Sequence, residues 1–207
     1  MSAKRPSNPL ALAVLALTYE RPMHPYEMAA TLKERGKDDS IKIRYGSLYT
    51  VIEQLLREGL IRAAATERDS RRPERTVYAI TPNGETELLD WMRDLLSRPV
   101  HEFPQFEAGL SLLGVVRPEE AVPLFQKRLA ALDLSIAARE RIDTIVDGKP
   151  LHPLFLVESD YRLAMERAER RFVASLIERI SAEDWAGASG WSRWHEAKRE
   201  REKGGGA

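Results

Sequence analysis

The chain has 207 residues, with 32 Lys+Arg against 32 Asp+Glu and no cysteine, so it suits one large domain or two small ones and excludes disulfides, thiolate metal sites and cysteine nucleophiles. With neither a signal peptide nor an apolar run long enough to span a bilayer, a cytoplasmic location and no membrane partner are expected. The balance of charge is local: residues 1–83 hold 14 Lys+Arg against 10 Asp+Glu, and residues 84–207 hold 18 against 22, which points the N-terminal part mildly toward a polyanion.

Taken in chain order, Asn8-Pro9 reads as a helix start, with Asn as N-cap and Pro at the first helical position, and Leu10, Val14 and Leu17 recur at helical spacing. Arg21-Pro22-Met23 ends that helix. His24-Pro25 opens a second, with Glu27 at its positive dipole end, which runs through Met28 and Leu32 to Gly36. A third helix is predicted over residues 44–57. There Leu48, Ile52 and Leu55 share one face with Val51 at its edge, and Gly46, Thr50, Glu53 and Arg57 lie opposite, flanked by Tyr49 and Gln54. One apolar stripe under an outer face of short side chains lets a helix lie close against another surface. Gly59 stops it.

Residues 60–65 and 76–80 read as two strands, the second alternating and rich in β-branched and aromatic residues. Between them the polar stretch 67–75, carrying Arg68, Arg71, Arg72 and Arg75, is suited to a projecting loop. A helix followed by a basic-tipped hairpin is the second half of a winged helix-turn-helix: the helix enters a major groove and the wing sets cations against phosphates. Thr81-Pro82 starts a fourth helix with Leu88, Leu89, Trp91, Met92, Leu95 and Leu96, closed by Pro99.

Beyond Pro99, Val122, Phe125, Leu129, Leu132 and Ile136 alternate in steps of three and four, and Arg139 and Asp143 interrupt that seam. After a loop with Gly148, Pro150 and Pro153, a long helix is predicted over residues 154–180, with Val157, Tyr161, Ala164, Ala168, Phe172, Leu176 and Ile180 facing inward. One helical hairpin cannot cover both apolar faces, so a two-fold dimer is the economical arrangement, against a hairpin packed only on its own N-terminal domain. Trp185, Trp191 and Trp194 suit either a pocket for a flat aromatic effector or, the favoured reading, anchors that dock a terminal helix. The charge run 195–203 reads most simply as a solvated helix face with a frayed, flexible end, the weaker alternative being a basic tail that reaches DNA, since Glu196, Glu200 and Glu202 cancel much of its charge.

Catalysis and cofactors find no support. The four histidines are scattered outside metal-ligand spacing, and His24 and His152 each precede a proline at a helix start, which favours capping or surface roles. Phosphate loops, a nucleophile elbow and a singled-out carboxylate pair are lacking. The expectation is a protein that is not an enzyme and needs no cofactor or metal.

Four stretches in order, residues 22–27 (Pro-Met-His-Pro-Tyr-Glu), 46–49 (Gly-Ser-Leu-Tyr), 56–61 (Leu-Arg-Glu-Gly-Leu-Ile) and 78–84 (Tyr-Ala-Ile-Thr-Pro-Asn-Gly), resemble the PadR family of bacterial transcriptional regulators. The remainder loosely resembles the longer subgroup, whose helical C-terminal part makes the dimer. Two departures are Pro25, where the family usually has Gly, and Arg44-Tyr45, where it often has a small hydroxyl residue. The expected fold is mainly α with a small β-hairpin: a winged helix-turn-helix domain over 1–98 and a helical dimerisation domain over 99–207. The expected function is sequence-specific DNA binding, as a repressor released by a small effector for which the resemblance suggests an aromatic compound. Arg44, Tyr45, Ser47 and Thr50 are the candidates near base edges, Tyr49 near a phosphate, and Arg71, Arg72 and Arg75 on the wing. The partners are double-stranded DNA with an inverted repeat and a second copy of the chain, through Phe125, Leu129, Leu132, Tyr161 and Phe172. The resemblance suggests an effector pocket near the fourth helix, with Trp91 as a wall of it; plain core is the equal alternative for Trp91. The competing function is a winged-helix protein-interaction module, which has no need of a four-arginine wing.

Overall fold

The computed structural model describes residues 8–67, 75–141, 145–146, 149–150, 152–182 and 188–204. It divides into two compact units, Met1–Glu102 and Phe103–Ala207.

The first unit is built on α1 (Pro9–Glu20). Asn8 caps it, accepting from the Leu10 N–H at 3.0 Å, and Pro9 supplies the preset φ of the first turn. This helix is apolar almost all round and correspondingly buried, including Leu10, Val14, Leu15 and Leu17. Its one buried polar side chain, Thr18, is satisfied by donating to the carbonyls of Val14 and Leu15 at 2.9 and 3.1 Å. The second helix, α2 (Pro25–Glu34), is capped by His24, whose Nδ1 accepts from the Tyr26 N–H at 3.1 Å, so the capping role weighed for this histidine is the one it fills. Gly36, at φ 63°, turns the chain into a short 3-10 turn over Lys37–Asp39.

Helix α3 (Tyr45–Arg57) follows, then the antiparallel hairpin of β1 (Ile61–Glu67) and β2 (Arg75–Ile80). The strands pair from Ile61 with Ile80 to Glu67 with Arg75, with a bulge between Ala63 and Ala65. Met23 adds a third, one-residue rung by exchanging both backbone hydrogen bonds with Tyr78 at 2.9 and 3.0 Å. Gly59, at φ 67°, makes the turn out of α3. Thr81 then caps α4 (Pro82–Ser97): its Oγ1 accepts from the Gly84 N–H at 3.1 Å and donates to the Gly59 carbonyl at 2.7 Å. One hydroxyl thus ties the end of α3 to the start of α4.

In the second unit, α5 (Gln105–Ser111) and a 3-10 turn over Leu113–Val115 lead into α6 (Pro118–Glu140). A two-rung hairpin, β3 (Ile145–Val146) with β4 (Lys149–Pro150), precedes a 3-10 turn capped by His152 and then α7 (Val157–Ser181). Helix α8 (Ala188–Gly204) follows. The apolar core gathers Ala121 and Phe125 of α6 with Val173, Leu176 and Ile180 of α7.

The inward stripe expected along α7 is corrected over most of its length. Leu176 and Ile180 are buried as expected, whereas Val157, Tyr161 and Phe172 are exposed. The reason is polar complementarity with α6. Arg128 donates to Glu169 at 2.6 Å, and Ser135 and Arg139 both reach Glu166 at 3.1 Å. Arg170 pairs with Asp133, and Arg167 with Glu140. Satisfying those charges rotates Glu166 and Glu169 inward and turns the Tyr161–Phe172 side outward. The seam on α6 keeps its predicted phase: Phe125 and Ile136 are buried, and Leu129 and Leu132 are partly buried against the same core.

Candidate nucleic-acid interface

Helix α3 presents the expected division of faces. Leu48, Val51, Ile52 and Leu55 are buried in the core shared with α1, α2 and α4. Each of Leu48, Ile52 and Leu55 is at most 1% exposed, so truncating one to Ala costs about 2–5 kcal/mol. The outward side carries Arg44, Tyr45, Gly46, Ser47, Tyr49, Thr50 and Glu53, all exposed. Gly46 and Ser47 keep the first turn thin, while Thr50 folds its Oγ1 back onto the Gly46 carbonyl at 3.1 Å. The helix starts at Tyr45 with Arg44 in the cap position and no side-chain hydrogen bond there, as the loss of a small hydroxyl residue implies. Arg44 is therefore a cation at the positive end of the dipole, a position that suits an incoming anion.

Two residues of this surface escaped sequence reasoning. The ring of Tyr26, on α2, stacks on Tyr45 with centroids 6.3 Å apart and planes 21° apart, and the Lys33 ammonium lies 5.4 Å from the Tyr45 centroid. Tyr26 is 62% exposed. Helical spacing held the signal, because positions 26 and 33 are seven apart on one face of α2, but its target became visible only with α3 in place. The interface thus includes an edge of α2, with the Tyr45 ring in contact with both a second ring and a cation.

The wing is described in its strands. Arg75 begins β2; Arg68, Arg71 and Arg72 lie outside the described residues. Trp91 is 6% exposed and packs in the core of the first unit, in the manner of its core alternative. Trp191 anchors α8 by donating its Nε1 to the Val116 carbonyl at 2.8 Å, and Trp194 is half exposed. Trp185 and residues 205–207 lie outside the described residues. Of the residues expected at a dimer interface, Phe125, Leu129 and Leu132 are engaged in the core of their own chain, and Tyr161 and Phe172 are open at 68% and 47% exposure. Among the described residues, no helix is long and apolar enough to cross a membrane, and no group of three His, Asp or Glu could hold a metal ion.

Comparison with known proteins places this surface in context. Residues 14–90 match the family model of the transcriptional regulator PadR-like family. The fold is similar to that of Bacillus subtilis PadR in complex with operator DNA: 20% identity, 84% of this chain and 99% of that one covered, TM-score 0.64. It is equally similar to the same protein in complex with p-coumaric acid, at 19% identity with 83% and 98% covered and a TM-score of 0.64. The PadR-like regulator BC1756 from Bacillus cereus aligns at 18% identity, with 87% and 99% covered and a TM-score of 0.53. No curated protein matches the chain.

Proposed function

We propose that this chain, whose residues 14–90 match the PadR-like transcriptional regulator family and which continues into a second unit, is a homodimeric repressor that binds an inverted repeat and is released by a small effector. The observation that carries the reading is α3. Its buried face is fully used in the core, and its open face is thin, mostly uncharged along its length and cationic at its start. A helix so divided can enter a major groove without displacing its own packing.

In mechanism, Arg44, Tyr45, Ser47 and Thr50 reach base edges, and Tyr49 reaches a phosphate. The arginines that the sequence puts between β1 and β2 supply sequence-independent, salt-dependent affinity. Two copies related by a two-fold axis present two α3 helices to half-sites about one helical turn apart, or a multiple of it. The copies associate through the outer side of α7, where Val157, Tyr161, Met165 and Phe172 are exposed on one side of the helix. The operator and p-coumaric acid complexes of Bacillus subtilis PadR support DNA and a small aromatic molecule as the partner classes.

Footprinting on the DNA upstream of the protein's own gene tests the proposal. Two protected half-sites of matching sequence in inverted orientation are expected; uniform protection or none contradicts it.

A further inference from the structure

The second unit holds an apolar cavity of about 490 Å³, inside the range of roughly 300–1,000 Å³ typical of small-ligand sites. Leu110, Leu112, Leu113 and Val115 form one wall, and the indoles of Trp191 and Trp194 form the other. Both walls are fixed by contacts within the unit. The Trp191 hydrogen bond to Val116 holds the inner indole. The His195 Nε2 lies 3.0 Å from the carbonyl oxygens of both Gly114 and Val116. Carbonyls only accept, so this nitrogen carries a proton and bolts α8 to the turn that forms the opposite wall. Trp194 stands edge-on to the His195 ring, 4.7 Å between centroids, with about half its surface open.

Next to this cavity, sharing Val115, is a polar one of about 310 Å³ lined by Arg117, Glu120, His195, Lys198 and Arg199. Glu120 is 3.9 Å from the Arg117 guanidinium and offsets that charge, and α8 brings Lys198 and Arg199 to the same cavity. The two cavities meet along α8: the Lys198 ammonium lies 5.9 Å from the Trp194 centroid. Trp191, Trp194, His195 and Lys198 recur at steps of three and four, so they form one stripe of the helix, apolar at its start and cationic at its end.

We propose that the cavity between α8 and the 110–115 turn binds small amphiphilic anions, the flat apolar body against the indoles and a carboxylate or sulfonate head toward Lys198 and Arg199. An apolar pocket with a few convergent charges is how proteins fix the orientation of such molecules. The site shares no residue with α3 or with Trp91. Its role as the effector site rests on the regulator reading; the binding itself does not, and is measured without DNA.

The test is calorimetric titration of the full chain with 2-naphthoate and with the uncharged 2-naphthamide. Saturable naphthoate binding is expected, with the amide weaker by about tenfold or more, since it keeps the ring and loses the charge. Trp194→Ala and Lys198→Glu, both at exposed positions, are each expected to weaken naphthoate by a similar factor while the helical circular-dichroism spectrum is kept. Should Trp194→Ala loosen α8, Lys198→Glu alone decides. Absence of naphthoate binding, or full-strength binding by Lys198→Glu, overturns the assignment; equal binding of acid and amide overturns its anionic part. None of these outcomes bears on DNA affinity, so failure here and failure of the regulator reading remain distinct.

Discussion

Gly84 stands where α4 passes Leu60, the residue that leads into β1, and a Cβ built there meets the Leu60 carbonyl oxygen at 2.0 Å. The obstacle is backbone, so no rotamer relieves it. Gly84→Ala is expected to destabilise the protein by about 3 kcal/mol or more, read as a lowered denaturation midpoint. Tyr45 behaves oppositely. It is exposed and contributes to no core, so Tyr45→Ala should leave the melting temperature nearly unchanged yet weaken operator binding by about 1–3 kcal/mol in an anisotropy titration. At this scale the sequence is most legible where one residue does one local job: Asn8, Thr81 and both proline-preceding histidines cap as their positions imply. It is least legible where a side chain meets another element, as Tyr26 meets Tyr45.

Between elements, ion pairs decide what hydrophobic periodicity leaves ambiguous. Along α7 the pattern supports two inward stripes, and Glu166 and Glu169 select one by pairing with Arg139 and Arg128 of α6. A stripe count weights apolar residues and misses paired charges, which is why it places Tyr161 and Phe172 inward. In the first unit, Arg35 at the end of α2 grips Glu20 at the end of α1 through two hydrogen bonds of 2.6 and 2.8 Å. That guanidinium holds the Glu20 carboxyl below its ordinary value of 4.5. A depressed carboxylate contributes stability above the ordinary value and loses it as pH falls through the folded one. Both groups are near half exposed, so the solvent-screened contribution is below about 1 kcal/mol. Glu20→Gln should therefore lower stability slightly near neutral pH, and the difference from the wild type should shrink as pH falls below the ordinary carboxylate value, in parallel denaturant titrations. The wing is tested by Arg71→Ala with Arg72→Ala: binding to all sequences should fall alike, and the salt slope should flatten by about one unit for each phosphate that these side chains neutralise. An unchanged slope would remove those arginines from the interface.

For the whole molecule, the proposed dimer is tested on the outer side of α7. Exposed Val157, Tyr161, Met165 and Phe172 make an apolar patch whose self-association would set the two α3 helices about a common two-fold axis. Replacing Tyr161 and Phe172 together by Glu is expected to yield a monomer by sedimentation and, with it, loss of cooperative operator binding while the first unit stays folded. Dimer and DNA affinity should fail together. Whether this protein reads DNA sequence is decided by fluorescence anisotropy on a short duplex carrying the inverted repeat, titrated against salt beside a scrambled duplex. Tight binding that exceeds the scrambled control and falls steeply as salt rises is expected. Weak binding, indifferent to both sequence and salt, would contradict it and leave the winged helix as a protein-interaction module.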